Sequence, residues 1–544
     1  MIKRIFSVLL AVLMIAVVFS GCSSDGSGEQ IVFPIDNEPK YLDPQIVSDN
    51  GAANIIQNCF EGLLTYDENG KIVPAGCESY EVSINRLEYT FKLRKDAKWL
   101  VTRAAKALFG EGEFEKFDTS VKAADYVFAF RRLADSDTGS EYSGLIMNIK
   151  NAKKVYQKKL LPQELGVRAE DDYTLVIELE APDADFLAVL TYPACVPCNE
   201  TFFEMTKGRY CLTTSYIISN GPFYISNWAD GTAITARKND EYHSASQVMP
   251  SSVYFSFNNQ KETRGDKVEN GTYEVSPVSG SQVKKLRNKK GITICEFDNS
   301  CYSFLFNCSD DLLKSKNLRL ALASSLEKSQ FLKEGGTKEA DGIVPDTCVA
   351  GAAAYRKRVA LPEQIKSDEI YAKKCFDAFR NDVQEDTVEL KILCDAENEI
   401  NVRKVMQKWQ QVFGVKCSLA VEVVDEIALN SRIEAGDYQL AFSDVSFYGD
   451  TALNVLCTFS STGKQNFSRF SSKEYDALIE KLRAAENERD FLLLLKECEQ
   501  FLLDNAVMVP IYKSKGCFAL SKGVSGVVFS PGGEYVSFKA ALKK

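Results

Sequence analysis

Nucleophile-and-base hydrolysis needs a base held beside the attacking group, and this 544-residue sequence offers one histidine for that purpose, His243. It follows Asn239-Asp240-Glu241-Tyr242, a polar run that reads as a surface turn after a strand, so no triad is expected through it. A single histidine also excludes histidine-rich zinc sites. Cys195 and Cys198 have C-x-x-C spacing, but no second pair stands at ribbon distance, which favours a redox or structural pair over a zinc knuckle. Thr462-Gly463-Lys464 continues with Gln465 and lacks the earlier glycine of a phosphate loop, and no G-x-S-x-G elbow occurs. Asp171-Asp172 and Asp310-Asp311 are chain neighbours that point to different sides and read as solvated turns. The inventory argues against an enzyme and implies neither cofactor nor metal. What it offers is 23 Tyr and 33 Phe beside acids, and aromatic rings with a few placed polar groups hold small ligands.

Those rings need a scaffold, and the chain is long enough for two or three packed units. The formal charge is -10; without residues 1–21, which carry Lys3 and Arg4 and no acid, 63 bases face 75 acids, or -12. Such a surface repels phosphate backbones, so nucleic acid is not an expected partner. Lys3 and Arg4 form a basic start and Ile5 to Phe19 an apolar run of export-signal length, too short for a comfortable span. It ends in Phe19-Ser20-Gly21-Cys22, which resembles the bacterial lipobox, with Phe19 where Leu is preferred. Residues 1–21 are thus expected to be a signal peptide, Cys22 the lipidated residue and 22–30 a small, polar tether. With Cys22 set aside, 15 of the 16 cysteines remain, an odd number scattered singly through apolar segments. Most read as reduced core residues, as would suit an anaerobic host.

The periodicities alternate between strand and helix, which predicts a mixed α/β chain. Leu63 to Tyr66 and Lys71 to Val73 flank Asp67-Glu68-Asn69-Gly70, a hairpin whose Asn-Gly predicts a tight primed turn. Leu87, Tyr89, Phe91 and Leu93 alternate with polar residues, as do Tyr173, Leu175, Ile177 and Leu179. Between them a helix is expected from near Ser120, with Val121, Ala124 and Phe128 on its apolar face. Ser471 to Glu474 reads as a capping box before Tyr475, Leu478, Ile479 and Leu482, and a second helix carries Phe491, Leu494, Leu495, Cys498 and Leu502. The plain reading of every such stripe is core packing.

From about Ile31 to Leu542 the sequence resembles the oligopeptide/dipeptide-binding family of transporter solute receptors. The resemblance rests on Asn37 to Pro44, ending Leu42-Asp43-Pro44; Phe60 to Leu64; Glu78 to Trp99; Asp125 to Leu133; Ser219-Asn220-Gly221-Pro222-Phe223-Tyr224-Ile225; Asn317 to Leu322; and Val509 to Tyr512. It implies a two-lobe periplasmic-binding-protein-like fold of type II with an extra domain embedded in the first lobe. Lobe I would comprise 31–64 with 192–294 and 506–544, the embedded domain 65–191 and lobe II 295–505. Hinge crossings would lie near Cys295 to Ser303 and Asn505 to Pro510. The implied function is capture of peptides by a monomer tethered through Cys22 to the outer face of a bacterial membrane, with delivery to the permease subunits of an ABC importer. A peptide-sensing receptor, or a receptor for an oligosaccharide or metal chelate, shares these features.

Peptide-binding members of the family pair the ligand's amine with an aspartate in a Trp-x-x-Asp-Tyr-x-x-Pro-like motif. An ungapped alignment anchored on Gly436 and Ser472 to Ile479 places Tyr448 at that aspartate and Val445 at the tryptophan. Asp444 and Asp450 are then the carboxylates at hand, Asp450 sharing a face with Tyr448 and Ser446 if the segment is extended. An ammonium without a carboxylate is costly to bury, so either Asp450 or Asp444 substitutes or the ligand has no free amine. The resemblance also nominates Glu38, Tyr142, Tyr302 and Tyr512 for the cleft. Leu100 to Asp118, with Phe109, Phe114 and Phe117, is an insertion that reads as a packed loop in preference to a lip.

Overall fold

The computed structural model describes residues 29–47, 49–183, 185–257, 260–332, 338–351, 353–383, 387–446, 451–461, 463, 466–485 and 487–544. Strand Ile31–Pro34 (β1) and helix Asn50–Cys59 (α1) lead into a hairpin of Leu64–Tyr66 (β2) and Ile72–Pro74 (β3). Cys77–Val82 (β4), Glu88–Leu93 (β5), Val167–Asp171 (β6) and Thr174–Glu178 (β7) form an antiparallel sheet in the order β4-β5-β7-β6, with helix Ala123–Ala134 (α2) inserted before β6. Phe223–Ala229 (β8), Ala233–Lys238 (β9) and Ser252–Ser256 (β10) make a second sheet, β1-β10-β9-β8, in which β1 lies parallel to β10.

A third sheet follows Val275–Pro277 (β11) and the 14-residue strand Thr293–Phe306 (β12). Then come helices Lys316–Ser324 (α3) and Glu369–Val383 (α4), strand Val388–Asp395 (β13), helix Glu399–Phe413 (α5), and strands Cys417–Val424 (β14) and Leu440–Ser446 (β15). Ala452–Thr458 (α6), Lys473–Arg483 (α7) and Glu488–Asp504 (α8) precede the last long strand, Met508–Leu520 (β16). The sheet order is β11-β16-β12-β15-β13-β14.

The apolar interior is divided accordingly. One core gathers β1, α1, both N-terminal sheets and the C-terminal residues from Leu520 onward. Two others line opposite faces of the third sheet: alternation along β15 sends Leu440 and Phe442 into one and Ala441 and Val445 into the other. This is a two-lobe fold. β12 and β16 belong to both lobes: Thr293 to Phe297 pair with Leu520 to Gly516, and after a register break Ser300 to Leu305 pair with Ser514 to Met508. The crossing on β16 therefore falls at Ser514–Gly516. The expected crossing at Asn505 to Pro510 is displaced, because Ala506, Val507, Met508 and Val509 are buried in the second lobe's cores.

Local expectations fare unevenly. β5 and β7 bury Tyr89, Phe91, Leu93, Leu175, Ile177 and Leu179. α7 buries Tyr475, Leu478, Ile479 and Leu482 behind an Ser472 cap, and α8 buries Phe491, Leu495, Cys498 and Leu502. The turn of the first hairpin is not primed: Asp67 O accepts from Gly70 N, and only Gly70 of that turn has a positive φ, +72°. α2 buries Ala123, Tyr126, Val127 and Phe130, while Ala124 is exposed, so its apolar stripe sits one residue away from the expected one. The shift makes room for Asp125, a buried carboxylate that accepts from Trp99 Nε1 at 3.0 Å and Asn199 Nδ2 at 3.2 Å. Phe109 packs on Phe114, Phe117 and Phe202, so the Leu100–Asp118 insertion is a packed loop.

Buried polar contacts tie distant segments of the first lobe. Asp43 takes both Arg132 Nη atoms at 3.0 and 2.5 Å, with Gln45 Oε1 as a further acceptor at 2.6 Å. Asn54 and Asn58, one turn apart on α1, donate to Glu534 O and Val536 O and accept from Val536 N and Phe538 N, so a helix face serves as a strand edge for the C-terminus. Gly221 is required sterically: a Cβ there would lie 2.7 Å from the backbone of Cys59 and Phe60. Removing one partner of a buried ion pair strands the other charge. Asp43→Ala is therefore expected to lower unfolding stability by about 3 to 5 kcal/mol, as measured by urea titration; a loss under about 1 kcal/mol would mean that the pair does not tie these segments.

Candidate ligand site

In open α/β sheets ligands bind outside the carboxyl ends of parallel strands, where strand order reverses. β13 lies between β14 and β15 and runs parallel to both, so the reversal falls between β13 and β15. Their carboxyl ends carry Asp395 and Asp444. Both flank an aromatic wall formed by the neighbouring hinge strands: Tyr302 stands opposite Asp444 on one side and Tyr512 on the other. The Tyr302 and Tyr512 rings stack at 4.8 Å and 24°, with Phe442 at 5.7 Å from Tyr302.

The electrostatics of this corner are acidic. Burial first, then the Asp444 charge, pushes the Tyr302 hydroxyl up, with Asp395 and Glu397 adding to it. Burial likewise raises Tyr512, helped by Tyr302 and Asp444. Both hydroxyls thus stay protonated, but Tyr512 is buried in a core of the second lobe, whereas Tyr302 is half-buried. Asn398 is buried and fixed by Asp395, which accepts from its N and Nδ2 at 2.8 and 3.0 Å; its Oδ1 faces the Tyr512 hydroxyl at 3.5 Å. Exposed Asp444 and half-buried Asp395 beside stacked rings suit a cationic group, which gains from both the charges and the ring faces.

The nominated residues separate. Tyr302 and Tyr512 are brought together, with Ser446 at the end of β15, paired by its backbone with Ser300. Tyr448 and Asp450 lie outside the described residues, as does Cys22. Val445, at the family's tryptophan position, is buried in the second lobe. Glu38 is committed elsewhere: its carboxylate accepts from Trp228 Nε1 at 2.9 Å and Gly231 N at 2.8 Å, closing the β8–β9 hairpin. Tyr142 is buried in the first core. Asp395 and Asn398 are not among the residues nominated from sequence; the signal was an alternating strand, Val388 to Cys394, ending in Asp395.

His243 is not on a surface turn. Its side chain is 4% exposed, with Nε2 2.6 Å from Glu61 Oε2 and Nδ1 2.8 Å from Ser244 Oγ, and the Tyr242 hydroxyl donates to the same carboxylate. Burial raises the Cys195 and Cys198 thiols to about 12, so neither is a ready thiolate. Among the described residues no group of three or more His, Cys, Asp or Glu is placed to hold a metal, and no helix is long and apolar enough to cross a membrane.

With Glu38 assigned to the hairpin, Glu38→Ala is expected to cost about 1 to 3 kcal/mol of stability by orphaning two donors while leaving ligand affinity unchanged. Parallel thermal melts and calorimetry check this, and a loss of affinity at unchanged stability would return Glu38 to the site.

Comparison with known proteins agrees with the fold. The dipeptide-binding protein DppE of Bacillus subtilis is 25% identical over 532 residues, covering 95% of this chain and 92% of that protein. The oligopeptide-binding protein OppA of the same organism is 24% identical across the whole of both chains. Among solved structures, the substrate-binding domain of an oligopeptide ABC transporter from Bacillus anthracis superposes with a TM-score of 0.76 at 27% identity, covering 96% of this chain and all of that one. The family model described as Bacterial extracellular solute-binding proteins, family 5 Middle matches residues 71–467, and the chain belongs to that family.

Proposed function

We propose that this protein captures peptides outside the membrane and hands them to an importer of the ATP-binding-cassette type, without chemically altering them. The observation that carries this reading is likeness along the whole chain to proteins named for binding dipeptides and oligopeptides. The acidic aromatic corner of Asp395, Asp444, Tyr302 and Tyr512 supports it, because a peptide presents an ammonium at one end and side chains that stack. In this reading residues 31–64, 192–294 and the stretch after the β16 crossing form lobe I, 65–191 the embedded domain, and the rest up to that crossing lobe II. Ligand contacts on both lobes favour the closed arrangement, which is a population shift. Cys22 carries the lipid, residues 22–30 the tether, and the protein works as a monomer on the outer face of the membrane.

Native mass spectrometry of the purified protein tests the ligand class: a mixed set of short-peptide masses is expected, whereas one discrete sugar or metal-chelate mass would displace the reading. The amine partner is tested by Asp444→Asn and Asp450→Asn. Loss of a desolvated ammonium partner weakens binding by about 2 to 5 kcal/mol, so one of the two is expected to show that loss in titration calorimetry with a tripeptide. Unchanged binding in both would remove these carboxylates from the amine site.

A further inference from the structure

Away from the hinge strands, the two lobes also meet at Asp185. It precedes Phe186, which is buried in the first lobe's core. Its Oδ1 accepts from the backbone N–H of Gly351 at 2.7 Å, and Gly351 follows Ala350, which is buried in a core of the second lobe. Val349 in turn bridges to Thr451, the cap of α6. The contact thus joins a loop of one body to a turn of the other, far in sequence from either hinge crossing.

We propose that Asp185 is a proton-operated latch between the lobes, closed by Gly351 and favouring the closed form when its carboxyl is protonated. The residue is 2% exposed, and its Oδ2 is buried without a hydrogen-bond partner, with the Thr451 hydroxyl facing the group. A carboxylate so placed carries a desolvation penalty that a neutral acid escapes. The surrounding charges do not cancel it. Asp183, on the same loop, repels it. Arg358, from the second lobe, is already held by Glu488 at 2.5 Å and by Ala350 O. Arg483, at the end of α7, is shared by Asp183, Cys457 and Glu480, and Lys153 acts on Cys457.

Burial, then Asp183, raises the Asp185 carboxyl to about 7 with the lobes in contact here, against the pull of Gly351, Thr451 and Arg358. When the lobes part, the group returns to water and to an ordinary carboxyl range near 4. Closing therefore takes up a proton from solvent. The closed form is favoured at low pH and loses that advantage as pH rises from about 4 to about 7, by up to about tenfold per pH unit in the closing equilibrium. Above that window both forms are ionised and the dependence is flat.

The test needs no ligand, so its outcome is independent of whether the passenger is a peptide. Small-angle X-ray scattering of the ligand-stripped full chain is recorded at pH 5, 6, 7 and 8, for the native protein, Asp185→Asn and Asp185→Ala, with melts to establish that each variant folds. The native radius of gyration is expected to grow from pH 5 to pH 7 and then level off. Asp185→Asn keeps an acceptor for Gly351 without a titrating group, and is expected to stay compact at every pH; Asp185→Ala removes the acceptor and is expected to be expanded at every pH. A native radius that does not respond to pH, or a response retained in Asp185→Asn, overturns the latch.

Discussion

Everything in this molecule hangs from one antiparallel pair of strands. β12 and β16 contribute to the cores of both lobes, so the lobes are joined by a hydrogen-bonded ribbon and not by two loose loops. On the first-lobe side, Phe297 is held by Phe518 and Phe529 at 6.1 and 5.2 Å. On the second-lobe side, the Tyr302–Tyr512 stack holds the same two strands together. Between these clamps the register breaks at Phe297–Ser300, where ladder bonds are interrupted and dihedral change is absorbed most cheaply. A second register shift falls at Tyr302–Ser303, within the aromatic wall itself. Anything that stacks on Tyr302 also touches these strands.

The motifs that made the family legible turn out to hold each other. Trp99 donates to Asp125, Asp43 grips Arg132, Asn220 exchanges hydrogen bonds with the backbone of Glu61, and Gly221 lets the chain pass against Cys59 and Phe60. Arg319 reaches Asn505 O and the carbonyls of Leu313 and Lys314, closing the end of α8 against α3. Such residues cannot change one at a time without orphaning a buried partner, so a strong sequence signal reports scaffold. The same fact explains why nomination of site residues from sequence was weaker. Glu38 finds Trp228 190 residues away and His243 finds Glu61 182 residues away, separations at which periodicity and spacing carry no information. The register of α2 was misread for a similar reason: a buried Asp125 breaks the apolar stripe, and its partners, Trp99 and Asn199, belong to other segments. Elements with regular alternation and local caps, such as β5, β7 and α7, needed no such partner and were readable directly.

A ligand ammonium needs a counter-charge, and the third sheet offers two carboxylates for it. Asp395 and Asp444 stand at the ends of adjacent parallel strands, positions fixed by the sheet ladder and not by a loop. Asp395 is spent in part on Asn398, which accepts from the Tyr512 hydroxyl, and Asp444 is exposed opposite Tyr302. A carboxylate on a strand end above a stacked aromatic pair supplies both a counter-charge and a quadrupole to an incoming ammonium. Because the strand that carries Asp444 is paired with β12, its charge is held directly against the ribbon that joins the lobes.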